Sequence, residues 1–349
     1  MRARCAVAVV PLAEVPLAEV SLVVAARVAR AAEKAEPCGQ SRAGGEPCPT
    51  IPDGRPARRG IGTYGLCRIR AVSTPPRERA DSRELAGLAE LAEAHPELAP
   101  AVALEREILD GERRLQRRIG TPWVDVTVEQ LHARLTGGHR LIDLDQLGID
   151  WSELRLRIRQ VVDVLRRHDV VEAGDVTRLH DAGRDASLPA LVRQWFDAVP
   201  GVGLPGSLVD PVMADVLSLA ARPFLVRAAE VLQQRVSVEA WTLGTCPMCG
   251  ATPTFAILPS TGTRVLVCGR CHCRWAFAAR TCHRCLDTEQ LRVFSAQGGI
   301  YQITACEACK RYLKAIDVKR AGRPLLMALD TVATLALDQA VAAQGFETD

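Results

Sequence analysis

Cys246-Pro-Met-Cys249, Cys268-Gly-Arg-Cys271, Cys282-His-Arg-Cys285 and Cys306-Glu-Ala-Cys309 are four Cys-x-x-Cys pairs, and their spacing decides how the end of the chain folds. A Cys-x-x-Cys turn doubles back on itself, so both sulfurs reach one ion from a single tight loop. Two such knuckles joined by a β-hairpin complete a tetrahedral sulfur site, and the hairpin needs a spacer of roughly 15–20 residues. Eighteen residues separate the first two pairs and twenty the last two, but only ten lie between the second and the third. The spacing therefore groups Cys246, Cys249, Cys268 and Cys271 as one site, and Cys282, Cys285, Cys306 and Cys309 as a second. Disulfide pairing is the alternative, but four pairs at ribbon spacing read as metal knuckles.

The two halves repeat. Cys282 and Cys285 follow Cys246 and Cys249 by 36 residues, and Cys306 and Cys309 follow Cys268 and Cys271 by 38. Each closing knuckle is followed four residues on by a large apolar residue, Trp275 in one copy and Leu313 in the other. Strand-like runs lie between the knuckles: Thr254–Leu258 and Arg264–Val267 in the first copy, Leu291–Phe294 and Tyr301–Thr304 in the second. Two consecutive rubredoxin-like or zinc-ribbon modules are expected.

The 349 residues are enough for two domains with a sizeable core. A formal charge of +3 implies no polyanionic partner, and the 4 % aromatic content argues against stacking platforms for single-stranded nucleic acid. No apolar run is long enough to span a membrane. The charged start, Met1-Arg-Ala-Arg, is followed by an apolar run that Pro11 and Glu14 soon interrupt, so a signal peptide is not expected. Thiolate sites assemble from reduced cysteines, which points to the cytoplasm. From Cys246 to Arg323, twelve Lys/Arg face four Asp/Glu. Two divalent ions, each with four thiolates, subtract four charges and leave about +4. That surplus is modest for nucleic-acid binding.

Residues 1–80 hold nine of the 21 prolines, and their Cys5, Cys38, Cys48 and Cys67 show no knuckle spacing. They read as a disordered Pro/Arg-rich extension, with a short helix between Ala18 and Ala35. From Asp81 the pattern becomes helical: Arg83–His95 behind an Asp81 or Ser82 cap, Glu97–Ile119, Thr127–Leu135 behind its Thr cap, a helix opened by Asp150 or Ser152 and running to about His168, Glu172–Asp181, Leu188–Val199 behind Ser187, and the strongly apolar Asp210–Gln234. The tail, Arg323–Gln344, reads as one amphipathic helix that packs on the ribbons or returns to the helical domain. The expected architecture is α+β: the extension 1–80, an all-α domain over 81–240, rubredoxin-like modules over 241–279 and 280–322, and a C-terminal helix over 323–349.

No phosphate-binding glycine loop, nucleophile elbow or paired carboxylates accompany this pattern, so no catalytic residue is assigned and the protein is not expected to be an enzyme. His272 and His283 sit beside knuckles that already have eight thiolates. They are read as neighbours of the sites, not as ligands. Cys273 is surplus to the four ligands and stands beside Arg274. It reads as an inert extra cysteine or an alternative ligand to Cys271, with a redox-active thiol as the sharper option.

The sequence Trp241-Thr-Leu-Gly-Thr-Cys-Pro-Met-Cys-Gly-Ala-Thr-Pro253, together with Val267-Cys-Gly-Arg-Cys271 and Trp275, Cys282-His-Arg-Cys285, Cys306-Glu-Ala-Cys-Lys-Arg-Tyr-Leu-Lys314 and Asp330-Thr-Val-Ala-Thr-Leu-Ala-Leu-Asp338, resembles FdhE, the formate dehydrogenase accessory proteins. The resemblance covers roughly residues 81–349; Cys273 is not part of the motif. It implies a cytoplasmic, non-enzymatic maturation factor that binds the molybdenum- or tungsten-containing catalytic subunit of formate dehydrogenase. It also implies one metal ion in each four-cysteine set: iron by the resemblance, although the donors suit zinc equally. A homodimer is compatible with the sequence. A rubredoxin-type electron carrier and a zinc-ribbon nucleic-acid adaptor are the alternatives, and iron's colour and reducibility separate them.

Overall fold

The computed structural model describes residues 77–120, 126–198, 209–259, 263–296 and 298–348. The expected extension, its short helix and its four cysteines lie outside the described residues, apart from the last turn before Asp81.

The helical part runs α1 (Arg77–Ala94), α2 (Ala99–Arg118), α3 (Val128–Thr136), α4 (Trp151–Arg167), α5 (Ala173–Arg184), α6 (Leu188–Asp197) and α7 (Pro211–Gln233). Helix α1 starts ahead of Arg83, so Asp81 and Ser82 lie within it and do not cap it. Three starts follow their capping residues. Thr127 and Gln130 form a reciprocal capping box, the Asp150 carboxylate accepts from the Ser152 and Glu153 amides, and Asp210 accepts from Met213 ahead of a first-turn proline. Ser187 does not cap α6; the Asp185 carboxylate accepts its amide at 2.7 Å instead.

Helix α7 is buried on most of its length because its apolar residues surround it. Val216, Leu217, Leu225 and Ala228 meet Leu154, Ile158 and Val161 of α4, Leu179 of α5, and Trp195 and Phe196 of α6 in one core.

Six strands follow: β1 (Pro253–Leu258), β2 (Arg264–Cys268), β3 (Arg274–Phe277), β4 (Leu291–Ser295), β5 (Tyr301–Cys306) and β6 (Tyr312–Asp317). Each half is a three-stranded antiparallel ribbon, its third strand carrying the apolar residue noted after the closing knuckle, Trp275 or Leu313. The halves are not separate sheets. β1 and β6 pair in parallel, Phe255 opposite Lys314 and Ile257 opposite Ile316, giving one sheet in the order β3-β2-β1-β6-β5-β4.

Central strands must bury both faces, and β1 and β6 do. Ala256, Leu266, Leu313 and Ala315 face the helical core. Phe255, Ile257, Val267 and Ile316 face a second cluster closed by Leu325.

The tail is broken into α8 (Val318–Ala321), α9 (Met327–Ala333) and α10 (Leu335–Ala342). The single helix expected over Arg323–Gln344 is interrupted at Thr334, which is fully buried and whose hydroxyl donates back to the Asp330 carbonyl at 2.7 Å. The break lets the tail do both things expected of it. Leu326, Leu329, Val332 and Leu335 pack on Leu88, Leu98 and Val102 of the helical part. Leu337 and Val341 pack on Phe294, Ile303 and Tyr312 of the second ribbon.

Buried carboxylates pin both halves of the tail. Asp330 accepts from Arg323, from the Tyr301 hydroxyl at 2.6 Å and from the Leu326 amide. Asp338 accepts from the Tyr312 hydroxyl and from Lys314 Nζ, each at 2.7 Å. At α9 the Ala328 amide donates to Glu84 of α1 at 2.6 Å.

Candidate metal centres

All four knuckles are built the same way. The first cysteine's amide donates to the carbonyl five residues on (Ala251, Cys273, Asp287 and Arg311), and its carbonyl accepts from the amide four residues on (Gly250, His272, Leu286 and Lys310). That fourth residue lies in the left-handed region in every case, at φ 77 for Gly250, 56 for His272, 62 for Leu286 and 57 for Lys310. Only the first knuckle has the glycine such a backbone favours. The turn leaves both sulfurs of each pair on one side.

The structure brings the eight knuckle sulfurs together in two sets, Cys246/Cys249/Cys268/Cys271 and Cys282/Cys285/Cys306/Cys309, with all four sulfurs of a set within 4.8 Å of one another. Cys246 and Cys271 are 3.4 Å apart and Cys249 and Cys268 3.5 Å apart. In the second set Cys282 and Cys309 are 3.7 Å apart, and Cys285 and Cys306 3.6 Å. A disulfide needs about 2.05 Å, whereas a tetrahedron with metal–sulfur bonds of about 2.3 Å has edges of about 3.8 Å. The cavities between the sulfurs therefore fit a tetrahedral ion, and an all-thiol donor set selects zinc or iron over magnesium or calcium.

Protonation agrees with that fit. In the first set burial pushes Cys246 and Cys271 well up, while Cys268, against its own burial, is held down by hydrogen bonds from the other three sulfurs. In the second set burial raises Cys282 to about 11, while backbone and neighbouring thiol donors lower Cys285 despite some desolvation. A metal ion binding at either set displaces the protons its thiols hold.

The surroundings differ. The first set is buried throughout and belongs to the helical core. Leu141 and Ile142, between α3 and α4, donate their amides to the carbonyls of Pro247 and Met248 inside the first knuckle, at 2.9 and 2.8 Å. Arg270 of the second knuckle stacks on Trp195 of α6 at 4.5 Å. The second set is open on one side, with Cys285 exposed and Cys309 half-buried.

Cys273 is fully buried and stays outside the first four-sulfur set; its sulfur is 3.3 Å from Gln233 Nε2 of α7. His283 is buried, and its carbonyl lies 1.8 Å from where a Cβ on Gly244 would stand, so this close approach of the two ribbons requires glycine there. His272 occupies a knuckle's left-handed position. Three features escaped the sequence reading: the docking of Leu141 and Ile142, the Gly244 contact, and the buried Arg264 beside the second set. A glycine before the first knuckle was the one visible hint.

A helical domain feeding a sheet with two four-cysteine clusters defines a ribbon-type fold whose thiol sets are suited to metal ions. The chain is 30 % identical over 293 residues to an FdhE homologue of Stutzerimonas stutzeri, spanning 79 % of this chain and 91 % of that protein. An FdhE homologue of Aquifex aeolicus matches at 30 % over 115 residues, 31 % of this chain and 40 % of that protein. The crystal structure of the FdhE protein from Pseudomonas aeruginosa has the same fold, with a TM-score of 0.52 and 24 % identity over 78 % of this chain and 94 % of that one. No protein-family model matches. The chain belongs to the FdhE family.

Proposed function

We propose that this protein is a cytoplasmic maturation factor that binds the catalytic subunit of formate dehydrogenase and is needed for that subunit to become active. On this reading it is not itself an enzyme. Its eight knuckle cysteines hold two ions, the helical part contributes to client recognition, and the ribbons bind the client or keep it reduced. The observation that carries the proposal is membership of the FdhE family together with two preformed four-thiol sites. No described helix is long and apolar enough to cross a membrane.

The test is genetic and biochemical. A strain lacking the protein is expected to make the dehydrogenase subunit in inactive form. The wild-type gene restores formate oxidation, and a Cys306→Ser/Cys309→Ser variant does not. An anaerobic pull-down is expected to recover the subunit; normal formate oxidation in the deletion strain would sink the proposal. The rubredoxin-type carrier stays open on one observation, the exposed sulfur of Cys285. In that case the iron-loaded protein turns over electrons with a partner and never forms a stable complex with unfinished subunit.

A further inference from the structure

Arg264 opens β2 in the first ribbon, yet its side chain reaches the second. It is 3 % exposed. One guanidinium nitrogen donates to the carbonyl of Thr281, the residue before Cys282, at 2.5 Å. The guanidinium carbon lies 5.3 Å from the centre of the Phe277 ring. Its Nε has no hydrogen-bond partner, and among the described residues no carboxylate pairs with it.

The other two buried arginine and lysine side chains have a carboxylate acting on them: Lys314 has Asp338 at 2.7 Å, and Arg157, which donates to the Ile108 carbonyl, has the opposing charge of Glu112. A buried cation without an anion is costly and needs a counter-charge. Burial lowers the Arg264 pKa to about 10, so the group stays charged at neutral pH, and the one ionisable group acting on it in the other direction is Cys282.

Four thiolates around a divalent ion carry a net charge of −2, and around a ferric ion −1. A metal-loaded second centre, one residue along from the Thr281 carbonyl that Arg264 binds, would supply that counter-charge.

We infer that Arg264 is a positioning residue of the second metal centre, supplied by the first ribbon: its buried charge strengthens metal binding there and, with iron bound, favours the ferrous state. It rests on the reading that the knuckle cysteines hold metal, and is independent of the client. The sign follows from charge alone, since a fixed cation favours the −2 state over the −1 state. A buried neighbouring charge changes an ionisation equilibrium by tenfold or more. An effect of about tenfold is therefore expected, which for a one-electron couple is about 59 mV.

The experiment uses the full chain as wild type, Arg264→Met and Arg264→Lys. Zinc affinity of each centre is measured against a competing chelator, and the iron-loaded proteins are titrated potentiometrically. Met is expected to weaken zinc at the second centre about tenfold and to lower its iron potential, leaving the first centre unchanged. Lys, which keeps the charge but not the guanidinium hydrogen bond to Thr281, is expected to recover most of both.

Equal values for Met and wild type overturn the inference. So does equal damage from Met and Lys, which assigns Arg264 to hydrogen bonding alone. If Met disturbs the fold, the Lys protein decides: a wild-type potential and affinity support the charge, and a lowered potential in a protein with unchanged circular dichroism overturns it. A wild-type chain that binds no ion at either centre fails the metal reading itself, a result distinct from the others.

Discussion

The two four-cysteine sets have the same knuckles, spacing and donors, but differ in what surrounds them. The first is set in the main core, its knuckles hydrogen-bonded to the α3–α4 connection and stacked on α6. The second rests on a smaller cluster of Phe294, Ile303, Tyr312, Leu337 and Val341 and leaves Cys285 in solvent. One ligand arrangement thus serves as a keystone in one place and as a surface feature in the other. The difference comes from packing, since the ligand chemistry is identical.

Breaking a ligand in each set is the harshest test of that contrast. A structural thiolate site contributes roughly 10–16 kcal/mol, comparable to the whole stability of a domain. Cys249→Ser is therefore expected to cost most of the helical circular dichroism along with the first ion. Cys285→Ser is expected to lose the second ion and retain the helical signal. Equal loss in both variants would erase the distinction.

Metal removal sharpens it in kinetic terms. A chelator is expected to extract the second ion first, through local opening on the Cys285 side, and the first only as the core opens. A single-phase release of both ions, followed by absorbance of the chelator complex, would contradict this order.

A smaller effect is expected at the anchor of the second ribbon. Asp338→Ala removes the buried carboxylate that Lys314 and Tyr312 bind and is expected to cost about 3–5 kcal/mol in denaturant unfolding. The first ion should be retained.

The gentlest comparison is within the knuckles. Leu286→Gly relieves a left-handed backbone but loosens the unfolded chain, so the net change is expected to be within about 1 kcal/mol and towards greater stability. Gly250→Ala, at φ 77 and with Arg140 Cδ 3.2 Å from the new Cβ, is expected to destabilise by about 1–2 kcal/mol. Thermal melts of the metal-loaded proteins read both.

The knuckles were legible because a Cys-x-x-Cys turn is local chemistry at fixed spacing. The hairpins β1–β2 and β4–β5 were legible for the same reason, and so were the helices opened by Thr127, Asp150 and Asp210. What the sequence hid is long-range. β3 and β6 showed only as single apolar residues, because a four-residue strand beside a knuckle has little period to read. The joining of the two ribbons into one sheet through β1 and β6 is absent from any local window. Asp330, Thr334 and Asp338 fall four residues apart, a spacing that fits the polar face of a helix. All three are buried: Arg323 and Tyr301 meet Asp330, Tyr312 and Lys314 meet Asp338, and Thr334 bonds back to the Asp330 carbonyl.

The parallel pairing of β1 with β6 also has a consequence for synthesis. Phe255 and its partner Lys314 are 59 positions apart in the chain. While the ribosome is still making the second ribbon, β1 has only β2 beside it, and the edge carrying Phe255 and Ile257 stays unpaired. Non-local pairing of this kind forms late, and an apolar edge left open invites association with other chains. The first set needs nothing beyond Cys271, so its ion can be in place and hold the first hairpin closed before β6 emerges. Metal supply during translation is then expected to decide how much chain reaches the finished sheet. Starved cells should accumulate aggregated chain, and adding metal after synthesis should recover little of it.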